Sequence, residues 1–344
     1  MWGSKVSASV SRRRKSSSLA AILVAGLAVA GAATPAGAVD VFELNLPKKV
    51  TAIRQSADGS FVAMGAEAFK LIACDTPEGL CLQTTSETGE AQKAPAGALP
   101  DGFVATAQTG DIRKAWYGRP TGRYAHGVLG DAIEGGSLVV VTGSGRKREF
   151  VLPENQVFED ITPRIRDLDG DGTNEVVTIR SSLTGGAAVA IYGLEDGKLV
   201  ERGAGSENGS PNRWLNIAAI IEGKNGKATI YGVRTPHIGG RLFSLTYSDG
   251  AVSEKDDIAT DVSDHVIGSR ELGLSATIDL GDGEELVLPS QDRTRLRFPL
   301  SNRPDIGLPG PVDKAIIVAD GRIVTATADG KLLVILPQDL SGSD

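Results

Sequence analysis

The run Asp167-Leu168-Asp169-Gly170-Asp171-Gly172-Thr173-Asn174-Glu175 puts carboxylates at positions 1, 3, 5 and 9 of a nine-residue loop. Gly172 at position 6 allows a left-handed bend, and Thr173 at position 7 can offer its backbone carbonyl. Such a set can wrap one hard cation in oxygen, which is the chemistry of calcium. An EF-hand would need an acid at position 12, where Thr178 stands, and a helix after the loop, where Val176-Val177-Thr178-Ile179 reads as a strand. The sequence therefore predicts a calcium loop inside a β-hairpin. A solvated Asp-Gly turn is the simpler alternative, but three crowded carboxylates repel one another unless a cation screens them.

A second set of reactive side chains is scattered. The chain has three histidines, His126, His237 and His265, each within a few residues of an arginine: Arg123, Arg234 and Arg270. No GxSxG, HExxH or phosphate-binding P-loop accompanies them. Whether they meet depends on the elements that carry them.

Those elements are strands. Past Pro47, short β-branched runs such as GSLVVVTG, EVVTIR, AAVAIYG, KATIYGV, EELVLP and KLLVIL alternate with Gly/Asp turns, and no stretch holds a helical period over three turns. The chain reads as all-β. An internal repeat is visible: an offset of 54 residues carries Gly172 onto Gly226, Arg180 onto Arg234, and Gly185-Gly186 onto Gly239-Gly240. A looser copy lies near Gly283, and similar hairpins occur at 135–152 and 315–336. Small sheets repeating at this length predict a β-propeller. Residues 39–344, divided by blades of roughly 40 to 50 residues, give six or seven four-stranded blades in one domain. The hairpin at 50–72 is expected to complete a blade begun by the C-terminal strands, and 75–102 and 201–213 to be loop excursions.

Composition narrows the compartment. Residues 1–38 combine Arg12-Arg13-Arg14-Lys15, an apolar run from Leu19 to Ala33 and Ala36-Gly37-Ala38, which predicts a signal peptide cleaved near Ala38. Both Sec and twin-arginine export remain open. Their removal takes away five basic residues and no acid, so the net charge moves from −7 to −12. An acidic chain is unsuited to nucleic acid, and no further hydrophobic stretch reaches membrane length. Cys74 and Cys81, separated by a turn containing Pro77 and Gly79, fit a local disulfide in a periplasmic or secreted protein.

The run DLDGDGTNEVV resembles the calcium loop of FG-GAP/VCBS repeats, the blades of integrin alpha-chain propellers and of many secreted bacterial proteins. The resemblance extends most clearly over 160–300. It implies structural calcium, with Asp167, Asp169, Asp171 and Glu175 as side-chain ligands and Thr173 as the carbonyl ligand. The Phe-Gly and Gly-Ala-Pro elements of that family are missing, and IIEGKNGKAT lacks the carboxylates. A second site near Asp279 and Asp282 is shorter and poorer in ligands.

In a four-stranded up-and-down blade, the loops after the second and fourth strands share the face opposite the calcium loop. Residues 123–126, 211–216 and 264–271 are expected between blades, and 180–182, 234–237 and 290–293 within them. This gathers Arg123, His126, Arg213, Trp214, Arg234, His237, His265, Arg270, Glu271, Asp292 and Arg293 onto one candidate ligand face. Arg and His suit an anion, and Trp214 could stack on a sugar. The expected function is a non-enzymatic binding module for a protein, saccharide or anionic small molecule. The alternative is a propeller hydrolase or lyase at that face, with the three imidazoles holding a metal or one serving as base.

Overall fold

The computed structural model describes residues 39–44, 46–281 and 283–337. The segment 1–38, which carries the expected signal peptide, lies outside the described residues, as does Asp282. The described residues contain no helix, and none of their elements is a helix long and apolar enough to cross a membrane.

Twenty-five strands follow in order along the described residues. The first five are β1 (Asp40–Leu44), β2 (Ala52–Ser56), β3 (Gly59–Met64), β4 (Glu67–Ala73) and β5 (Leu80–Thr85). Then come β6 (Ala105–Thr106), β7 (Ile112–Thr121), β8 (Glu134–Thr142), β9 (Lys147–Val151), β10 (Gln156–Phe158), β11 (Arg164–Arg166), β12 (Glu175–Ser182), β13 (Gly186–Glu195) and β14 (Lys198–Ala204). The rest are β15 (Leu215–Glu222), β16 (Ala228–Arg234), β17 (Arg241–Ser248), β18 (Ala251–Thr260), β19 (Ala276–Asp279), β20 (Glu284–Pro289), β21 (Arg295–Arg297), β22 (Ile306–Gly307), β23 (Ile317–Ala319), β24 (Arg322–Ala326) and β25 (Leu332–Leu336).

Antiparallel pairing groups them into six four-stranded units. These are β2–β5, β6–β9, β11–β14, β15–β18, β19–β22, and β23–β25 with β1 added at the outer edge of β25. First strands of different units approach one another: β2 lies beside β23, β23 beside β19, β19 beside β15, and β11 beside β6. The first strands therefore line the centre, and the molecule is a β-propeller of six blades. Its cores sit between blades, where inner strands are covered on both faces. β12 (EVVTIRSS) buries Val176, Val177 and Ile179, and β13 buries its run from Ala187 to Tyr192. A strand sandwiched this way reads as a continuous apolar run.

Three expectations change. The hairpin at 50–72 is not the complement of the C-terminal strands; it belongs to the separate blade β2–β5, and the N-terminal strand β1 closes the last blade by pairing Asp40–Leu44 with Leu332–Leu336. The expected excursions at 75–102 and 201–213 contain outer strands, β5 and the end of β14. Outer strands face water and alternate weakly, so their polar composition hides them. Finally, residues 122–133, with Arg123 and His126, join the second and third strands of their blade rather than two blades. They still fall on the expected face.

One irregularity matters for the site. After β9 the chain inserts β10 between two blades, where Phe158 pairs with Gly135 on β8 and with Arg180 on β12, merging them into a nine-stranded sheet. The next residue, Glu159, is thereby pinned through its amide to the Ile179 carbonyl at 3.1 Å.

Candidate functional site

The acidic loop spans β11 to β12. Gly170 (φ 79°) and Gly172 (φ 87°) take the left-handed conformation that lets the loop fold over Asp167. Asp167 accepts from the amides of Gly170 and Gly172, both at 2.8 Å. Neighbouring blades clamp the loop: Asn174 donates to the carbonyls of Thr109 and Ile112, its amide reaches Asp111, and Ala228 donates to the Leu168 carbonyl. Oxygen atoms of Asp167, Asp169 and Glu175 converge within 4.8 Å, the one such acidic or histidine group among the described residues. Asp169 Oδ1 is buried without a partner. Burial, together with the charges of Asp169, Asp171 and Asp167, pushes the Glu175 carboxyl up to about 7 although the Leu168 amide donates to it. Asp171 stands apart, accepting from the amide and hydroxyl of Thr173. A buried, unpartnered oxygen amid converging carboxylates is the environment a hard cation satisfies. The copy near Asp279 differs: Asp279 accepts from the Gly281 amide, and Glu285 is taken up by the amides of Leu286 and Leu300.

On the opposite face a pocket of about 470 Å³ opens between the third and fourth blades. His126, Asn212, Arg213, Thr235, His237, Ile238, Arg241 and Ile267 line it above Trp214. The three histidines are brought together here, but not as a metal site. His265 is fully buried, and its Nε2 lies 2.9 Å from the Ser269 carbonyl. A carbonyl only accepts, so Nε2 of His265 carries the proton and Nδ1 is a lone pair. That lone pair accepts from His237 Nε2 at 2.7 Å, which leaves His237 Nδ1 as an acceptor without a partner. Burial pushes both imidazoles down to about 4, with His265 adding to the effect on His237, so both are neutral at pH 7.

His126 belongs to a different arrangement. Its Nδ1 lies 2.5 Å from Glu159 Oε1, and Ser181 donates to the other oxygen of Glu159, which is fully buried. This pairing orients the ring so that Nε2 is left open. Trp214 is only 2% exposed, donates through Nε1 to the Glu159 carbonyl, and stacks on His237 with ring planes 2° apart. It supports the pocket floor, and the expectation that it stacks on a sugar fails because its faces are already covered. Thr235 holds φ 48°, rare for a β-branched residue, and starts the turn that presents His237.

The arginines divide. Arg123 pairs with Glu154 and the Gln156 carbonyl; Arg234 pairs with Glu254 and Asp256 and lies over Phe243; Arg270 pairs with Asp101 and Asp131. Arg123 and Arg270 tie separate segments together, Arg234 braces β16 to β18 within its own blade, and all three are occupied. Arg180 pairs with Glu201 from the position equivalent to Arg234, so the repeated arginines form repeated structural pairs. Asp292 accepts from Ser290 and Thr294, which holds its carboxyl down at about 2. Arg293 donates to the Val312 carbonyl. Glu271 accepts from the Gly273 amide at a separate cavity of about 550 Å³ near the centre, lined also by Arg54, Lys93 and Arg270. Arg213 alone among these arginines lines the histidine pocket, and its guanidinium meets no partner among the described residues. Glu159 had no sequence signal as a site residue; Ser181 and Ser269 fall in segments expected on this face, but only the fold pairs them with Glu159 and His265.

Cys74 and Cys81 form the expected disulfide, between β4 and the start of β5.

No family model matches the chain, and no curated protein does. The likeness to FG-GAP/VCBS repeats accordingly rests on the acidic loop and its repeat. Among solved structures the chain is similar to an exotype rhamnogalacturonan lyase at 14% identity, over 87% of this chain and 68% of that one, with a TM-score of 0.44. It is also similar to BamB from Moraxella catarrhalis (12% identity, 87% and 99% covered, TM-score 0.27) and to a protein described as a 6-phosphogluconolactonase from Bacteroides uniformis (13%, 85% and 82%, TM-score 0.36).

Proposed function

We propose that this chain is an exported, calcium-stabilised β-propeller that binds an anionic ligand, without turnover, in the pocket above Trp214. One observation carries the reading: the free guanidinium of Arg213 shares a concave site with the open nitrogens of two oriented imidazoles, His126 and His237. A cation without a carboxylate partner is the complement of an anion, and a neutral imidazole acceptor beside it suits a ligand carrying a hydroxyl or amide donor as well. Calcium would act on the other face, held by Asp167, Asp169 and Glu175, with Asp171, whose Oδ1 accepts from the Thr173 amide and hydroxyl, outside that cluster. Its contribution would be to neutralise the loop that locks three neighbouring blades. The disulfide fits an oxidising compartment.

The test is titration of isotope-labelled protein with propionate, lactate, phosphate and sulfate, followed by chemical-shift change at the His126 and His237 rings. Arg213→Ala should weaken binding of every anion at least tenfold. Unchanged affinity in that variant would end the reading.

A second reading is favoured by the Glu159–His126 pair. A buried carboxylate that orients an imidazole with its far nitrogen open is the geometry of a general base. Turnover of an anionic saccharide that vanishes in His126→Ala while binding persists would establish an enzyme in place of a binding module.

A further inference from the structure

Large apolar side chains are exposed at six places among the described residues, and four of them lie on the pocket face. Ile238 (84% exposed) and Ile267 (65%) line the pocket itself. Leu183 sits in the β12–β13 loop, where Gly186 packs against the backbone of Ser210 and Arg213. Ile133 ends the β7–β8 loop, which is tied to 268–270 by the Gly268 amide on the Val128 carbonyl and by Arg270 on Asp131. The loops of three consecutive blades and one connection between blades thus raise apolar tips on the face that carries Arg213, two of them in the pocket itself.

The lining of this site has a polar and an apolar zone. The polar zone is Arg213 and Asn212, both exposed, with the His126 and His237 nitrogens; the Asn212 side-chain amide has no partner among the described residues. The apolar zone is Ile238 and Ile267, which line the same pocket. A free fatty acid needs an apolar cavity that buries its tail. A saccharide would set hydroxyls against the isoleucines. An extended peptide end matches both zones: its α-carboxylate meets Arg213, its last amide N–H meets an acceptor such as His237 Nδ1, and Asn212 can pair with a peptide group both ways. Its side chains, pointing alternately outward, then cover Ile238 and Ile267. A pocket of 470 Å³ holds a terminus of two or three residues, within the range of small-ligand sites.

We infer that this face captures the apolar C-terminal end of a partner protein, with Arg213 taking the terminal carboxylate and Ile238 and Ile267 the side chains. The inference rests on the anion-binding reading of the same pocket and names the anion's carrier.

The experiment uses the full exported chain and fluorescein-labelled decapeptides whose last three positions are varied, each as the free acid and as the C-terminal amide, read by polarisation. Decanoate serves as the lipid-like probe. Free acids ending in Leu, Ile, Val or Phe should bind, and amidation should weaken them at least tenfold. Ile238→Ser with Ile267→Ser, which add no charge, should weaken the peptides tenfold or more and weaken them at least fivefold more than propionate. Equal binding of acid and amide, tighter binding of decanoate than of any peptide, or peptide binding indifferent to the isoleucine pair would overturn the inference. If propionate binds through Arg213 and no peptide does, the anion site stands and its protein partner falls. If Arg213→Ala changes nothing, both fall.

Discussion

Replacing Asp169 with alanine should stabilise the metal-free protein and make it indifferent to calcium. The Asp169 side chain makes no hydrogen bond, and its Oδ1 is buried without a partner beside carboxylate oxygens of Asp167 and Glu175 within 4.8 Å. An unsatisfied buried acceptor costs about 1–3 kcal/mol. Relief of repulsion from its two neighbours adds to this, discounted because Asp167 and Asp169 are partly solvated. A net gain of about 2 kcal/mol in a chain of about 300 ordered residues, with an unfolding entropy near 0.6 kcal/mol/K, raises Tm by about 3 °C. In the wild type, calcium at 100 times its Kd should contribute about 2.7 kcal/mol, or about 4 °C. Differential scanning calorimetry in EDTA, calcium and magnesium reads both effects. Magnesium should do less, since it demands a tighter octahedral shell. A wild-type Tm that ignores millimolar calcium, or an Asp169→Ala variant that shifts equally, refutes the metal assignment. A variant less stable than wild type in EDTA refutes the reasoning about the orphaned oxygen.

Other consequences can be checked on the same material. Cys74 and Cys81 close a loop seven residues apart, so Cys74→Ser with Cys81→Ser should cost about 2.5 kcal/mol by the chain-entropy relation, read as a lower urea midpoint. Burial holds His265 at about 4 against an ordinary 6.5; the unfolded chain binds the proton first, so this contribution is complete above about pH 6.5 and lost as pH falls to 4, on the order of 3 kcal/mol. His265→Asn should flatten the decline in stability between pH 7 and 4.5, and an unchanged slope would contradict it. Asp264 runs the other way. Fully buried, with both carboxylate oxygens unpartnered, it is raised to about 8 from 3.8, so stability is lost as pH rises from about 4 towards 8, and Asp264→Asn should stabilise at pH 8 but not at pH 4. Deleting residues 39–44 should expose the edge of β25 and produce aggregation on heating, measured by light scattering.

Legibility in the sequence followed burial. β12 and β13, covered on both faces, showed as apolar runs, and the 54-residue offset joined Arg180 and Arg234, which hold equivalent positions at the ends of β12 and β16. β5 and β14 face water and were hidden inside polar segments. β10 is three residues long and is held by pairing with two blades at once, a long-range contact with no local pattern.

The site shows the same division. Side-chain type and spacing within one loop were sufficient to propose the acidic cation site, because nine consecutive residues supply all of its oxygens. Antiparallel alternation was sufficient to send the histidines to one face. Which of them could meet a ligand was decided only by packing: His265 became a buried acceptor for His237, Trp214 a covered floor, and Glu159 the orienting partner of His126. Most of the candidate arginines were consumed by ion pairs, from Arg234 with Glu254 within one blade to Arg270 with Asp101 at opposite ends of the chain's middle, and Arg213 was left free. Residue type sets what a side chain can bind, but whether it is already satisfied depends on neighbours the fold brings from other blades.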